Sequence, residues 1–152
     1  MLNDVNKTGG MVEYSYGAYN KFDENEQYIR ITEGCPNNCP YCYEPTEIKV
    51  FEIPEIVRND VKIMDMNILC KGEALSIINH LGSQKVNNRV VYYQLICGVD
   101  WRFLTQDLAD ALHKNRFKKI RLAWDYDVRC GVAAVLLHDA IATSTEEPKD
   151  AE

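Results

Sequence analysis

Short apolar runs set between polar turns organise this chain, and their periods change along it. Tyr28, Ile29 and Ile31 make residues 27–32 a short strand that stops at Gly34. Beyond Pro45 and Pro54, residues 61–69 read as a second strand. Residues 72–81 follow as a helix, with Leu75, Ile78 and Leu81 on one face and Gly82 as its stop. Residues 89–97 are a third strand. Thr105 can cap a helix carrying Leu108, Ala111 and Leu112, and Lys114, Arg116, Lys118 and Lys119 collect at its end, where cations complement the helix dipole. Residues 119–124 are a fourth strand. Strands that alternate with helices predict an α/β fold with parallel pairing.

The 152 residues amount to one domain, and a content of 46% hydrophobic and 26% charged residues excludes general disorder. Lys and Arg total 17 against 23 Asp and Glu, so nothing draws the chain to phosphate backbones or anionic lipid, and nucleic acid is not an expected partner. Residues 1–10 lack the basic and apolar stretches of a signal peptide. The longest apolar run, residues 132–137, is far too short to cross a membrane. The expectation is a cytoplasmic protein with no membrane partner.

That expectation bears on the six cysteines, because in a reducing compartment clustered thiols are metal ligands or catalysts before they are disulfides. Cys70, Cys97 and Cys130 are scattered, whereas Cys35, Cys39 and Cys42 fall in one C-x3-C-x2-C segment. Pro36, Asn37 and Asn38 between them are turn formers, and a loop lets the three sulfurs converge. Converging thiolates bind soft metals, which leaves zinc or an iron-sulfur cluster. Structural zinc wants four protein ligands, and ferredoxins use four cysteines per cluster. Three cysteines on a 4Fe-4S cluster leave one iron open to a small molecule.

Cys35, Cys39 and Cys42, with the aromatic Tyr41 directly before the last, resemble the cluster motif of the radical S-adenosylmethionine superfamily. The resemblance implies a partial β/α barrel with the motif after its first strand. It implies a 4Fe-4S cluster on the three cysteines, S-adenosylmethionine on the open iron, and reductive cleavage to a 5'-deoxyadenosyl radical that abstracts hydrogen from an unnamed substrate. It also implies an electron donor such as flavodoxin or ferredoxin, and sets Tyr41 beside the adenine. The alternative is a zinc-binding or degenerate, non-catalytic scaffold.

Within such a barrel, strand alternation assigns the inner faces. Asp65 and Asn67 share one face of the second strand; Gln94 and Asp100 are in phase on the third if it extends that far; Arg121 and Asp125 are in phase on the fourth. Met64, Met66 and Ile68, then Tyr93, Leu95 and Cys97, then Ile120, Leu122 and Trp124 form the opposite faces, which helices should cover. Ligands bind at the C-terminal rim of such barrels, so Asp65, Asn67, Asp100 and Asp125 are candidate contacts to S-adenosylmethionine. For each taken singly, the alternative is a turn residue capping nearby backbone. Many family members carry Gly-Gly-Glu at the end of the second strand. Here Asp65-Met66-Asn67 stands in that place and is expected to take over the amino contact.

About four β/α units are legible in residues 1–143, counting 1–26 as an N-terminal extension, before an acidic tail at 144–152. A full family barrel has six. The chain is then a fragment, a truncation, or a protomer completed by a partner or second copy. His80, His113 and His138 fall on helices and are given no role.

Overall fold

A computed structural model of the protein describes residues 17–39 and 42–123. In chain order it contains β1 (Tyr19–Phe22), β2 (Glu26–Arg30), β3 (Thr32–Glu33), β4 (Lys49–Val50) and β5 (Asp60–Ile63). A 3-10 turn (Ile68–Cys70), helix α1 (Ala74–Ser83), the paired β6 (Lys85–Val86) and β7 (Arg89–Val90), and β8 (Tyr92–Leu95) follow. Then come β9 (Val99–Asp100), a second 3-10 turn (Trp101–Phe103), helix α2 (Gln106–Lys114), β10 (Phe117–Lys118) and β11 (Leu122–Ala123).

Five of these strands form one sheet in the order β1-β2-β5-β8-β10. β2, β5, β8 and β10 run parallel, each beside the next in sequence, while β1 lies antiparallel on the outer edge of β2. Parallel strands that neighbour one another in chain order, joined by right-handed crossovers, put their helices on one face. α1 and α2 accordingly pack against each other. The sheet is open, and no barrel closes among the described residues.

The covered face is apolar. Ile29, Val61, Ile63, Tyr93, Leu95 and Phe117 meet Ile78 and Leu81 of α1 and Leu108 and Leu112 of α2. Full burial of each such aliphatic side chain stabilises the fold by about 1.5–3 kcal/mol. Tyr93 stacks on Phe117 with ring centroids 5.0 Å apart, and its hydroxyl donates to the Leu81 carbonyl at 2.7 Å. Burial pushes that phenol well above its ordinary range. The other face is polar. Lys62 lies between Asp60 (2.8 Å) and Glu26 (3.3 Å), Tyr28 donates to Glu26 at 2.7 Å, and the Lys118 ammonium stands 3.4 Å above the Tyr92 ring.

Several expectations are corrected here. The second strand ends at Ile63, not at residue 69. Its phase is also reversed: Val61 pairs with Tyr93 and Ile63 with Leu95, so the odd-numbered positions face the helices and Asp65 follows them inward. The third strand, expected at residues 89–97, is two strands: its first residues form β7, which pairs with β6 across a turn at Asn87 and Asn88 (φ 51° and 61°), and only β8, from Tyr92 to Leu95, joins the main sheet. Two successive left-handed residues are what a tight hairpin requires. The fourth strand, expected at residues 119–124, is displaced: the main-sheet strand β10 comes before it, Lys119 (φ 53°) turns the chain away, and only β11 falls in the expected range, where it pairs with β9.

Helix α1 buries Ala74, Ile77, Ile78 and Leu81 and leaves Leu75 exposed. It also runs past Gly82. That glycine makes room rather than a stop, since a Cβ there would fall 1.8 Å from the Asn115 side chain, which bonds across to Asn79 at 2.9 Å. β1 belongs to the sheet although it lies within the stretch expected to be an extension. Thr105 caps α2 as expected, accepting from the Leu108 N–H at 3.3 Å. Trp124, Tyr41, Asp125 and the 144–152 tail lie outside the described residues. No helix among the described residues is long and apolar enough to cross a membrane.

Candidate metal centre

The crossover from β2 to β5 has no helix among its described residues; it carries the cysteine loop instead. β3 and β4 pair across the base of that loop, Glu33 opposite Lys49, and the Phe51 N–H donates to the Ile31 carbonyl at 2.8 Å. Above this clasp the returning chain lies directly on Gly34. Gly34 has φ +93°, and a Cβ there would stand 2.0 Å from the Glu47 carbonyl oxygen, so only glycine fits. Its N–H donates to Glu44 Oε1 at 2.6 Å, and the Cys35 N–H donates to the Pro45 carbonyl at 2.8 Å. Buried Glu33 accepts from the Gly17 N–H at 2.6 Å, while the buried Lys71 ammonium donates to the Glu33 carbonyl at 3.3 Å. Charged side chains rather than apolar ones anchor this loop.

Cys35, Cys39 and Cys42 line one cavity of about 200 Å3 at the C-terminal ends of the parallel strands. The remaining walls come from Asn37, from Met66 and Asn67 after β5, and from residues 97–102 with Ala123. Asn67 takes a left-handed conformation (φ 51°) that turns its amide inward. Its Nδ2 donates to Cys35 Sγ at 3.4 Å, and its Oδ1 accepts from the Asp100 N–H at 3.1 Å. On the far side, the Glu44 N–H donates to Cys42 Sγ at 3.4 Å. N–H donors of this kind stabilise charge on sulfur.

Asp100 is buried and fully engaged. It accepts from Asn37 Nδ2 at 2.6 Å and from Arg102 through Nε and Nη2, at 2.9 and 2.5 Å. Burial opposes its charge, but the Arg102 and Asn37 bonds outweigh that and hold the carboxyl below its usual range. Asp100 thus ties the cysteine loop to β9 and fixes a guanidinium at the cavity, in the field of Cys39 and Cys35.

Of the residues expected at the rim, Asn67 and Asp100 join the cysteines, and Asp65 does not line the cavity. The Asp65 carboxylate points into the protein, where it accepts from the Ile31 N–H at 3.1 Å and from the Thr32 N–H. This is the backbone-capping alternative, imposed by the register that turns odd positions of β5 inward. Burial pushes Asp65 up to about 6, against the pull of the hydrogen bonds from residues 31–32.

Asn37, Arg102 and Cys97 also line the cavity, where sequence patterning did not place them. Cys97 is exposed, with its Sγ 3.4 Å from the Met64 carbonyl. Asn37 lies inside the cysteine motif and Arg102 two residues after Asp100, and those neighbourhoods were the available signals. His80 and His113 sit on α1 and α2, away from the cavity.

The donor set consists of thiols, which suits iron-sulfur chemistry. Among the described residues no three His, Cys, Asp or Glu gather closely enough to hold a single metal ion. A cubane puts each thiolate on a different iron and so keeps the sulfurs further apart than ligands of one ion, and cysteines spaced around a shared cavity fit that demand. No family model, no curated protein and no solved structure matches the chain.

Proposed function

We propose that this protein is a radical S-adenosylmethionine enzyme built on a partial β/α barrel, with a 4Fe-4S cluster held by Cys35, Cys39 and Cys42. The observation that carries the reading is the shared cavity of these three thiols at the C-terminal ends of sequentially ordered parallel strands. When bound, the cluster with S-adenosylmethionine on its open iron supplies a 5'-deoxyadenosyl radical for hydrogen abstraction from an organic substrate.

The chain's own residues bind and orient. The Asn67 amide and the Glu44 N–H offset charge on the Cys35 and Cys42 sulfurs. Asp100 sets Asn37 and, through an ion pair, the Arg102 guanidinium at the cavity wall, where its remaining N–H donors can meet a polar ligand group. Met66, Val99 and Trp101 supply apolar wall that excludes water. The partners in this reading are a one-electron donor of the flavodoxin or ferredoxin kind, and a further segment, partner or second copy that extends the open sheet beyond β10.

Anaerobic reconstitution with iron and sulfide, followed by electron paramagnetic resonance of the reduced protein, tests this. The expected result is a reduced 4Fe-4S signal that changes on adding S-adenosylmethionine, and its loss in Cys39→Ala. Uptake of zinc alone, or a cluster indifferent to S-adenosylmethionine, overturns the reading in favour of a scaffold.

A further inference from the structure

The net charge of -6 belongs to the chain as a whole, and folding distributes it unevenly. Residues 84–92 and 113–123 hold seven of the 17 Lys and Arg and none of the 23 Asp and Glu. The fold sets these two segments side by side. β10 pairs with β8, Lys118 opposite Gln94, while β7 turns back on β6 and places Arg89 opposite Val86. Arg116 ties the segments together, donating to the carbonyls of Val91 at 3.1 Å and Gly82 at 2.5 Å.

The other six cations are exposed: Lys85 and Arg89 on the hairpin, Lys114 at the end of α2, and Lys118, Lys119 and Arg121 on and after the free edge strand. No carboxylate among the described residues pairs with any of them, whereas Lys62 in the middle of the same sheet has two. Ordinary causes explain only part of this strip. Helix C-termini favour cations, which covers Lys85 and Lys114, and a lysine on an edge strand deters pairing with another sheet, which covers Lys118. Neither calls for Arg89, Lys119 and Arg121, or for the exclusion of every acid.

We infer that the strip binds single-stranded nucleic acid through its phosphates. Interfaces with nucleic acid are much more positively charged than those with protein, whose centres are depleted of charge. Exposed Tyr92 lies within the strip, with the Lys118 ammonium 3.4 Å above its ring. A cation and an aromatic ring at one place match the two halves of a nucleotide, its phosphate and its base. A duplex keeps its bases stacked inside and offers none to the ring, so the single strand is the better fit. None of the seven cations lines the cysteine cavity, and the inference does not rest on the proposed function.

Fluorescence anisotropy of a labelled oligouridylate, titrated with the full chain at rising salt, tests this. Each phosphate neutralised on a single strand adds about 0.7 to the fall of log affinity with log salt, so six exposed cations set an upper bound of about 4. Arg89→Gln combined with Lys118→Gln removes one cation from each segment. The slope should flatten by about 1.4, with weaker binding to every sequence alike. Lys21→Glu changes the net charge by the same amount on β1, the opposite edge of the sheet, and should leave the slope as it is. Far-ultraviolet circular dichroism checks that each variant is folded.

Equal flattening in the two variants would assign the effect to net charge and overturn the inference. Absence of oligouridylate binding, or a duplex that binds as tightly as the single strand, overturns it as well. Polyglutamate that competes as strongly per charge also overturns it, and gives the strip to an acidic protein or a second copy of this acidic chain. The measurement needs no iron or sulfide, so failure of cluster assembly removes the proposed function and leaves this result standing.

Discussion

The layer where sheet meets helices and the loop region above its C-terminal edge are built by different physics. In the first, Ile63, Leu95, Leu81 and Leu112 are almost wholly buried, and the elements recur by periodic apolar positions. In the second, the buried residues include Glu33, Glu44, Asp65, Lys71 and Asp100, each held by specific bonds to backbone or to polar side chains. Hydrophobic packing is non-directional and tolerates adjustment, whereas a buried charge stabilises only with its partners in place. The two regions should therefore fail separately.

The sharpest separation is expected from Gly34→Ala. The added Cβ meets backbone of Glu47 and Ile48 that cannot swing aside, so the cysteine loop cannot close. The expected outcome is loss of iron and sulfide uptake with far-ultraviolet circular dichroism retained. Retained uptake would mean that the clasp is not what shapes the site.

Leu81→Ala should do the converse. Removing a fully buried side chain from α1 costs about 2–5 kcal/mol, measured by denaturant unfolding, with the iron content of the folded fraction unchanged.

Asp65 lies at the join of the two regions and gives a pH signature. Its carboxyl rises from an ordinary 3.8 to about 6 in the folded state. The folded chain then binds the proton more tightly than the unfolded chain, so stability falls as pH rises through that window. The total is about 3 kcal/mol at about 1.4 kcal/mol per unit. Denaturant midpoints measured across this range should show the fall in wild type and lose that part of it in Asp65→Asn.

The smallest effect belongs to Tyr93→Phe. The Leu81 carbonyl that accepts the Tyr93 hydroxyl also accepts from the Gln84 N–H at 3.0 Å, so no group is orphaned. The cost should be about 0.5–1.5 kcal/mol in the same unfolding measurement. A loss several times larger would show that the hydroxyl does more than satisfy this carbonyl.

Legibility in the amino-acid sequence follows the same division. Ile29, Tyr93 and Leu95, the apolar face of α2 and the Thr105 cap were legible because each is a local pattern with a fixed period or offset. The breaks at Asn87, Asn88 and Lys119 were not, because positive φ at a non-glycine residue leaves only a weak trace in the sequence.

The sequence by itself determined the three-cysteine loop, its place after a strand and its α/β setting, since spacing and turn chemistry are local properties. Tertiary structure alone decided that Asp65 turns inward, that Asn67 and Asp100 reach the cavity, and that Asn37, Arg102 and Cys97 join them. The reason is register: pairing Val61 with Tyr93 fixes which face every later residue of that strand presents, and no local pattern carries that information.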